Sequence, residues 1–150
     1  METWPKIEIN RQDGYDMCFG CGKANPAGLK LKFAWNEKTK TASADFFAAE
    51  HLQGWAGYLH GGITSCVLDE AMGWAALLAG SHCVTAKMQI RFRRMVPMGQ
   101  KYLLSCRIIK QNTRLIETEA VMTDLSGNVF AEGTGTQFII KSGEGRKQNE

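Results

Sequence analysis

Two adjacent carboxylates, Asp69 and Glu70, stand mid-length in a run from Gly61 to Ala79 that is apolar nearly all the way round and holds no Lys or Arg to neutralise them. An ionised carboxylate in a buried helix is costly unless it is paired or employed. The run is entered through His60-Gly61-Gly62. This sets two residues without side chains where a helix N-terminus presents unsatisfied N–H groups and the positive end of its dipole. An oxyanion donor and a carboxylate base are therefore both available. On a helix Asp69 neighbours Ser65, Cys66, Met72 and Gly73, whereas Glu70 neighbours Cys66, Val67 and Trp74. Ser65 and Gly73 leave more room for a substrate, so Asp69 reads as the base and Glu70 as a structural or hydrogen-bonding group. The non-catalytic alternative is a buried Asp69 satisfied by Ser65 or by a backbone group.

The elements that must position these groups follow from periodicity. Leu29 to Phe33 alternates with period two and Thr41 to Phe47 reads as a second strand, which gives a hairpin before the helix. Val84 to Val96 puts Ala86, Met88, Ile90 and Phe92 on one side and Thr85, Lys87, Gln89, Arg91 and Arg93 on the other. Tyr102 to Lys110, Leu115 to Thr123 and Val129 to Ile140 read as further strands, with turns at Asn112-Thr113 and Ser126-Gly127-Asn128. Val129, Ala131, Gly133 and Gly135 share one face of the last strand, small enough to let a helix approach closely. Strands joined by short turns around one long helix favour an antiparallel α+β sheet. A helix this apolar must be covered on most sides, which a curved sheet and a second copy of the chain would achieve.

The 150 residues, 44% of them hydrophobic, suffice for one domain with a real core. An irregular opening segment over 1–27, a domain over 28–140 and a disordered charged tail over 141–150 describe the organisation. A net charge of +3 is too mild to argue for nucleic acid. Met1 to Lys6 has neither the basic start nor the apolar run of a secretion signal, and Gly73 to Gly80 is too short to span a bilayer. These features predict a cytoplasmic chain with no membrane partner, whose five cysteines are reduced. Cys18-x-x-Cys21 invites zinc, but a structural site needs four ligands, and Cys66, Cys83 and Cys106 lie in predicted helix or strands without a second pair. No metal is therefore expected. His51 and His82 have no motif around them. Trp55, Tyr58, Met72 and Trp74 read first as core, some of them as lining for an acyl group.

Cys18-Phe19-Gly20-Cys21-Gly22, Asn25-Pro26-x-Gly28-Leu29, His60-Gly61-Gly62 and Leu68-Asp69-Glu70-Ala71-Met72-Gly73, with the strand near Thr85, together resemble the hotdog-fold acyl-CoA thioesterases. The branch is that of the phenylacetate-pathway enzymes and their mammalian mitochondrial relatives, within the 4-hydroxybenzoyl-CoA thioesterase superfamily. The resemblance covers roughly Cys18 to Ile140. It implies a hotdog fold, an antiparallel sheet wrapped around a long central helix, and hydrolysis of a small aromatic or short- to medium-chain acyl-CoA. No cofactor is implied beyond the coenzyme A of the substrate. Eight helical steps at about 1.5 Å rise separate Gly61 from Asp69 by roughly 12 Å, too far for both to touch one carbonyl. The family meets this with an antiparallel homodimer, sometimes paired into a tetramer, in which Asp69 of one protomer faces Gly61 of the other.

The resemblance assigns Gly61 N–H to the oxyanion, Asp69 to general-base or nucleophilic attack, His60 to support beside the oxyanion hole and Thr85 to holding the attacking water. Strict alternation places Thr85 away from the core, so that role requires a bulge or a position at the subunit seam. Gly62, Glu70 and Gly73 fall on the substrate side, and Arg91, Arg93 and Arg94, with Lys101, are candidates for the coenzyme A phosphates. Gly54 stands where some relatives carry an Asn that binds the carbonyl, and the glycine-rich segment Gln53 to Tyr58 around it is expected to move. Cys18 to Gly22 with Asn25-Pro26 is expected to lie over the cleft. A non-catalytic acyl-CoA-binding module and an acyl-thioester hydratase or dehydratase are the alternative functions.

Overall fold

Thr64, Val67, Leu68, Ala71, Met72, Ala75 and Ala76 recur at three- and four-residue steps and form a fully buried stripe along helix α1, Gly61–Leu78. The computed structural model describes residues 17–140. The tail expected over 141–150 and the first part of the opening segment lie outside the described residues. The helix stops through Gly80, whose φ of 100° lets Gly80 N–H reach Leu77 O and Ser81 N–H reach Ala76 O, the Schellman arrangement that a residue with a Cβ enters at a cost.

Six antiparallel strands form a single sheet: β1 (Ala34–Asn36), β2 (Thr41–Phe47), β3 (Cys83–Phe92), β4 (Lys101–Gln111), β5 (Leu115–Thr123) and β6 (Val129–Ile139), in the order β1-β2-β4-β5-β6-β3. Helix α1 packs across β2 to β6, which gives the hotdog architecture. The alternating residues Ala42, Ala44 and Phe46 of β2, Tyr102, Leu104 and Cys106 of β4, and Ile116, Thr118, Ala120 and Met122 of β5 are buried. The small-residue face of β6 meets the helix: a Cβ on Gly135 would stand 2.5 Å from Met72 Sδ, and one on Gly133 would stand 3.2 Å from Met72 Cε.

One expectation needs correction. Leu29 to Phe33 is not a strand; Lys30 sits at φ 54°, outside extended geometry. Leu29 and Leu31 instead donate to Phe19 O at 2.7 Å and Gly20 O at 3.0 Å, so this stretch staples the opening loop. The helix carries its buried stripe on one side, and the remainder from Ile63 to Leu78 is half-buried in the single chain.

Candidate active site

His60 caps α1 with extended backbone, φ −63° and ψ 133°, and its Nδ1 accepts the Gly62 N–H at 2.9 Å. An accepting Nδ1 places the ring proton of neutral imidazole on Nε2. The His60 carbonyl accepts Ile63 and Thr64 N–H. Gly61 N–H makes no hydrogen bond among the described residues, and Gly61 is exposed on an open cleft of about 520 Å³ lined also by Gln53, Gly54, Trp55, Leu59 and His60. The first turn carries no acidic side chain. An unengaged donor at the positive end of an 18-residue helix, facing solvent, has a geometry and charge that favour an anion.

Asp69 lies two turns further on, half-buried, and Thr85 Oγ1 donates to its Oδ1 at 2.6 Å. A bulge makes this contact possible. The β3–β6 register runs Thr85↔Gln137 and then Lys87↔Thr136, so Ala86 is an extra residue and the alternation flips across it. Thr85 thereby joins the helix side with Gln137, while Met88 and Ile90 keep the helix side beyond the bulge, opposite Gly135 and Gly133. Ser65 is not the partner of Asp69, because its hydroxyl donates to Gly61 O at 3.1 Å. A Cβ on Gly73 would meet nothing within 4 Å, so space is open one turn beyond Asp69.

Glu70 points elsewhere. Cys18 Sγ donates to its Oε1 at 3.6 Å, and Gly20 approaches so closely that a Cβ there would overlap the Glu70 side chain. Burial pushes the Glu70 carboxyl above its ordinary range, and the negative charge of Asp69 adds to this, against hydrogen bonds from Cys18, Cys21 and Trp74. The loop that holds it is built by its motif: Gly22 N–H bonds Cys18 O at 2.8 Å, and Asn25 Oδ1 accepts Ala27 N–H at 3.0 Å. Phe33 stacks on Trp74 with centroids 6.2 Å apart.

The family model of the thioesterase superfamily matches residues 56–131, just over half of the chain. The chain belongs to the thioesterase superfamily. Acyl-coenzyme A thioesterase THEM4 of Bos taurus is 27% identical over 139 residues, which cover 93% of this chain and 54% of that protein. The chain spans about half the length of the curated relatives it matches. Among solved structures, a thioesterase superfamily protein, RHA08564, superposes with a TM-score of 0.77 at 20% identity, covering 92% of this chain and 68% of that one. The E. coli PaaI protein from the phenylacetic acid degradation operon gives 0.69 at 16% identity, covering 75% and 80%.

The structure brings His60, Gly61, Gly62 and Gly54 to one end of the helix of this superfamily member, and Asp69, Thr85 and Gly73 to its middle. The basic residues do not form one cradle. Arg93 pairs with Glu132, its Nε at 3.0 Å, and Lys101 with Asp45 at 3.6 Å. Arg94 stands 6.0 Å over the Phe130 ring, and Arg91 forms no ion pair among the described residues. Position 54 faces His60, whose Cα lies 3.0 Å from an added Cβ, so an Asn there would displace the cap. The Gln53–Tyr58 segment is pinned rather than loose, by bridges Gln53↔Leu59 and Tyr58↔Pro97 and by Gly57 N–H on Gln53 Oε1 at 2.7 Å. Trp55 is 82% exposed and lines the cleft, and Tyr58 is 37% exposed, whereas Met72 is core.

Two residues escaped the sequence reading. Phe92, 56% exposed at the end of β3, reaches 3.6 Å from a Cβ placed on Gly61. Gln137 is buried opposite Thr85, its Oε1 accepting Thr118 Oγ1 at 3.0 Å while its Nε2 has no partner among the described residues. A polar residue in the small-residue series of β6 is the signal that marks Gln137. No signal in the sequence marks Phe92.

Proposed function

We propose that the chain hydrolyses acyl-CoA thioesters, with Gly61 N–H of one protomer polarising the thioester carbonyl and Asp69 of a second protomer delivering the attack. The observation that carries this reading is the Thr85–Asp69 hydrogen bond of 2.6 Å, together with a Gly61 N–H left unengaged at the helix end. Thr85 occupies Oδ1 and orients the carboxylate, leaving Oδ2 free to take a proton from water or to attack the carbonyl carbon itself. Attack moves the carbonyl electron pair onto oxygen, where Gly61 N–H and the helix dipole stabilise it. Collapse of the tetrahedral intermediate expels coenzyme A as thiolate, leaving the free acid when water attacks, or an acyl–Asp69 anhydride that water then hydrolyses when the carboxylate attacks. His60 fixes the first turn by holding Gly62 N–H, so the neighbouring Gly61 N–H stays directed outward.

The roughly 12 Å of helix between Gly61 and Asp69 supports a homodimer with shared sites. β3 is an edge strand of the sheet, hydrogen-bonded only to β6 among the described residues, and exposed Phe92 stands at its end beside Gly61. The name of the THEM4 relative supports acyl-CoA as substrate class. Space beside Gly73 and the exposed indole of Trp55 suit a small aromatic or short- to medium-chain acyl group. Arg91 and Arg94, not committed to ion pairs, are the better placed of the four cations for the coenzyme A phosphates.

Free-thiol release from short, medium and aromatic acyl-CoAs tests the proposal, with wild type compared with Asp69→Asn at matched folded concentration. The expected result is turnover of at least one member and a loss of about a hundredfold or more in the variant, as for removal of an essential base. Binding of acyl-CoA without thiol release by wild type would make the chain a binding module. An Asp69→Asn variant as active as wild type would remove Asp69 from the chemistry.

A further inference from the structure

Among the described residues one cluster of Cys, His, Asp and Glu side chains is close enough to hold a metal ion: Cys18, Cys21 and Glu70, whose ligand atoms all lie within 4.8 Å of one another. We propose that these three residues bind one zinc-like divalent cation that clamps the opening loop onto α1, with its fourth position open to solvent. Tetrahedral zinc with Zn–S near 2.3 Å and Zn–O near 2.0 Å requires an S···O separation of about 3.5 Å. Cys18 Sγ and Glu70 Oε1 stand 3.6 Å apart. The loop donates its pair in the two-residue spacing that lets one turn present both sulfurs. The helix donates Glu70, whose carboxylate faces the loop sulfurs.

Counting cysteine pairs in the sequence gave Cys18 and Cys21 no partners, because the third ligand is a carboxylate. Among the described residues no Lys or Arg forms an ion pair with Glu70. Burial, helped by the Cys18 hydrogen bond and the Glu70 charge, pushes the Cys21 thiol up to about 12. Thiolate ligation displaces cysteine protons, so cation binding releases protons and tightens as pH rises. Two thiolates select zinc over magnesium or calcium. The Trp74 indole lies against both Cys21 and Glu70 and supports their charged forms. The site is structural and takes no part in the thioester reaction, so it stands or falls apart from the proposed function.

The test uses the full chain, purified reduced and stripped of metal, titrated anaerobically with Co(II) and then Zn(II), with zinc in the untreated preparation measured by mass spectrometry. Saturation at one Co(II) per chain is expected, with a thiolate-to-cobalt charge-transfer band and the intense visible bands of tetrahedral coordination, all erased by Zn(II). Loss of the band is expected in Cys18→Ser/Cys21→Ser, and an unchanged one in Cys83→Ser. Because the wild-type spectrum alone decides whether a site exists, a variant that fails to fold does not rescue the idea. No thiolate band in reduced wild type would overturn the proposal, as would a band that survives the double substitution. A Cys18–Cys21 disulfide in the untreated protein, with no metal bound, would equally replace the clamp by a redox pair.

Discussion

Replacing Gly61 by proline removes one hydrogen-bond donor, the amide N–H assigned to the oxyanion, and closes a ring on that nitrogen at a helical position that accepts it. Gly61 is the first residue of α1, the helical position where proline is favoured because its missing N–H would be unsatisfied anyway. The preceding residue must be extended, and His60 already has ψ 133°. No hydrogen bond is lost among the described residues, and a Cβ at 61 comes no nearer than 3.6 Å, to Phe92. Loss of one oxyanion donor costs about 3–4 kcal/mol of transition-state stabilisation, or a hundred- to a thousandfold in kcat. The assay is thiol release on the best substrate of the acyl-CoA panel, with thermal melting measured beside it. Gly61→Ala is the steric control: it adds the same Cβ but keeps the N–H, and activity within about tenfold of wild type is expected. The reasoning fails if Gly61→Pro retains more than a tenth of wild-type kcat while melting normally, or if Gly61→Ala falls as far as the proline variant.

Mixing Gly61→Pro with Asp69→Asn after partial unfolding and refolding should restore about a quarter of wild-type activity, since half of the dimers are mixed and each holds one intact site; no recovery would place both groups in one protomer. Thr85→Val should lower kcat about ten- to a hundredfold, the value of a hydrogen bond to a charged group, and Thr85→Ser should recover most of it; equal losses in the two variants would remove the hydroxyl from the mechanism. Gly135→Ala places a Cβ 2.5 Å from Met72 Sδ and from Gln137 Nε2, so overpacking should cost about 1–3 kcal/mol in denaturant unfolding, and an unchanged midpoint would show that the helix can retreat from β6. The Asn128 side chain, followed by backbone N–H groups of Asn128 and Ser126, holds the Asp124 carboxyl below its usual 3.8. That stabilisation is present above the unfolded value and lost as pH falls through the lower folded one, so the melting difference between wild type and Asp124→Ala should shrink in acid, and a constant difference would assign it to something other than the charge.

The fold was legible wherever one face is buried and the other wet. Thr41–Phe47 and Leu115–Thr123 come out of alternation to the residue, and the helix ends where glycine punctuation places them. Leu29 to Phe33 misled because its alternation serves another purpose: Leu31 is buried under the opening loop while its backbone pairs with Gly20, not with a neighbouring strand. The segment Gln53 to Tyr58 misled in the other direction. Its glycines suggest looseness, but Gly57 at φ 86° is what lets the chain turn tightly enough for Gln53 Oε1 to reach back to it.

The candidate site divides in the same way. Gly61 and Asp69 belong to one helix, so their spacing and the roughly 12 Å between them follow from numbering alone. Thr85 needs a partner strand before its direction is defined, because period-two alternation points it outward and only the extra residue at Ala86 turns it toward Asp69. A bulge depends on how two strands pair over their whole length, and neither strand's own sequence contains that information. The Cys18–Glu70 contact is harder still: 52 residues separate the two groups, and the glycine that admits the carboxylate, Gly20, is one of two in a motif where either would serve a turn. The legible half of the site is thus the half whose geometry is local. The contacts that orient Asp69 and seat Glu70 arise from tertiary register and close approach, where substitutions such as Thr85→Val and Cys18→Ser carry the most information.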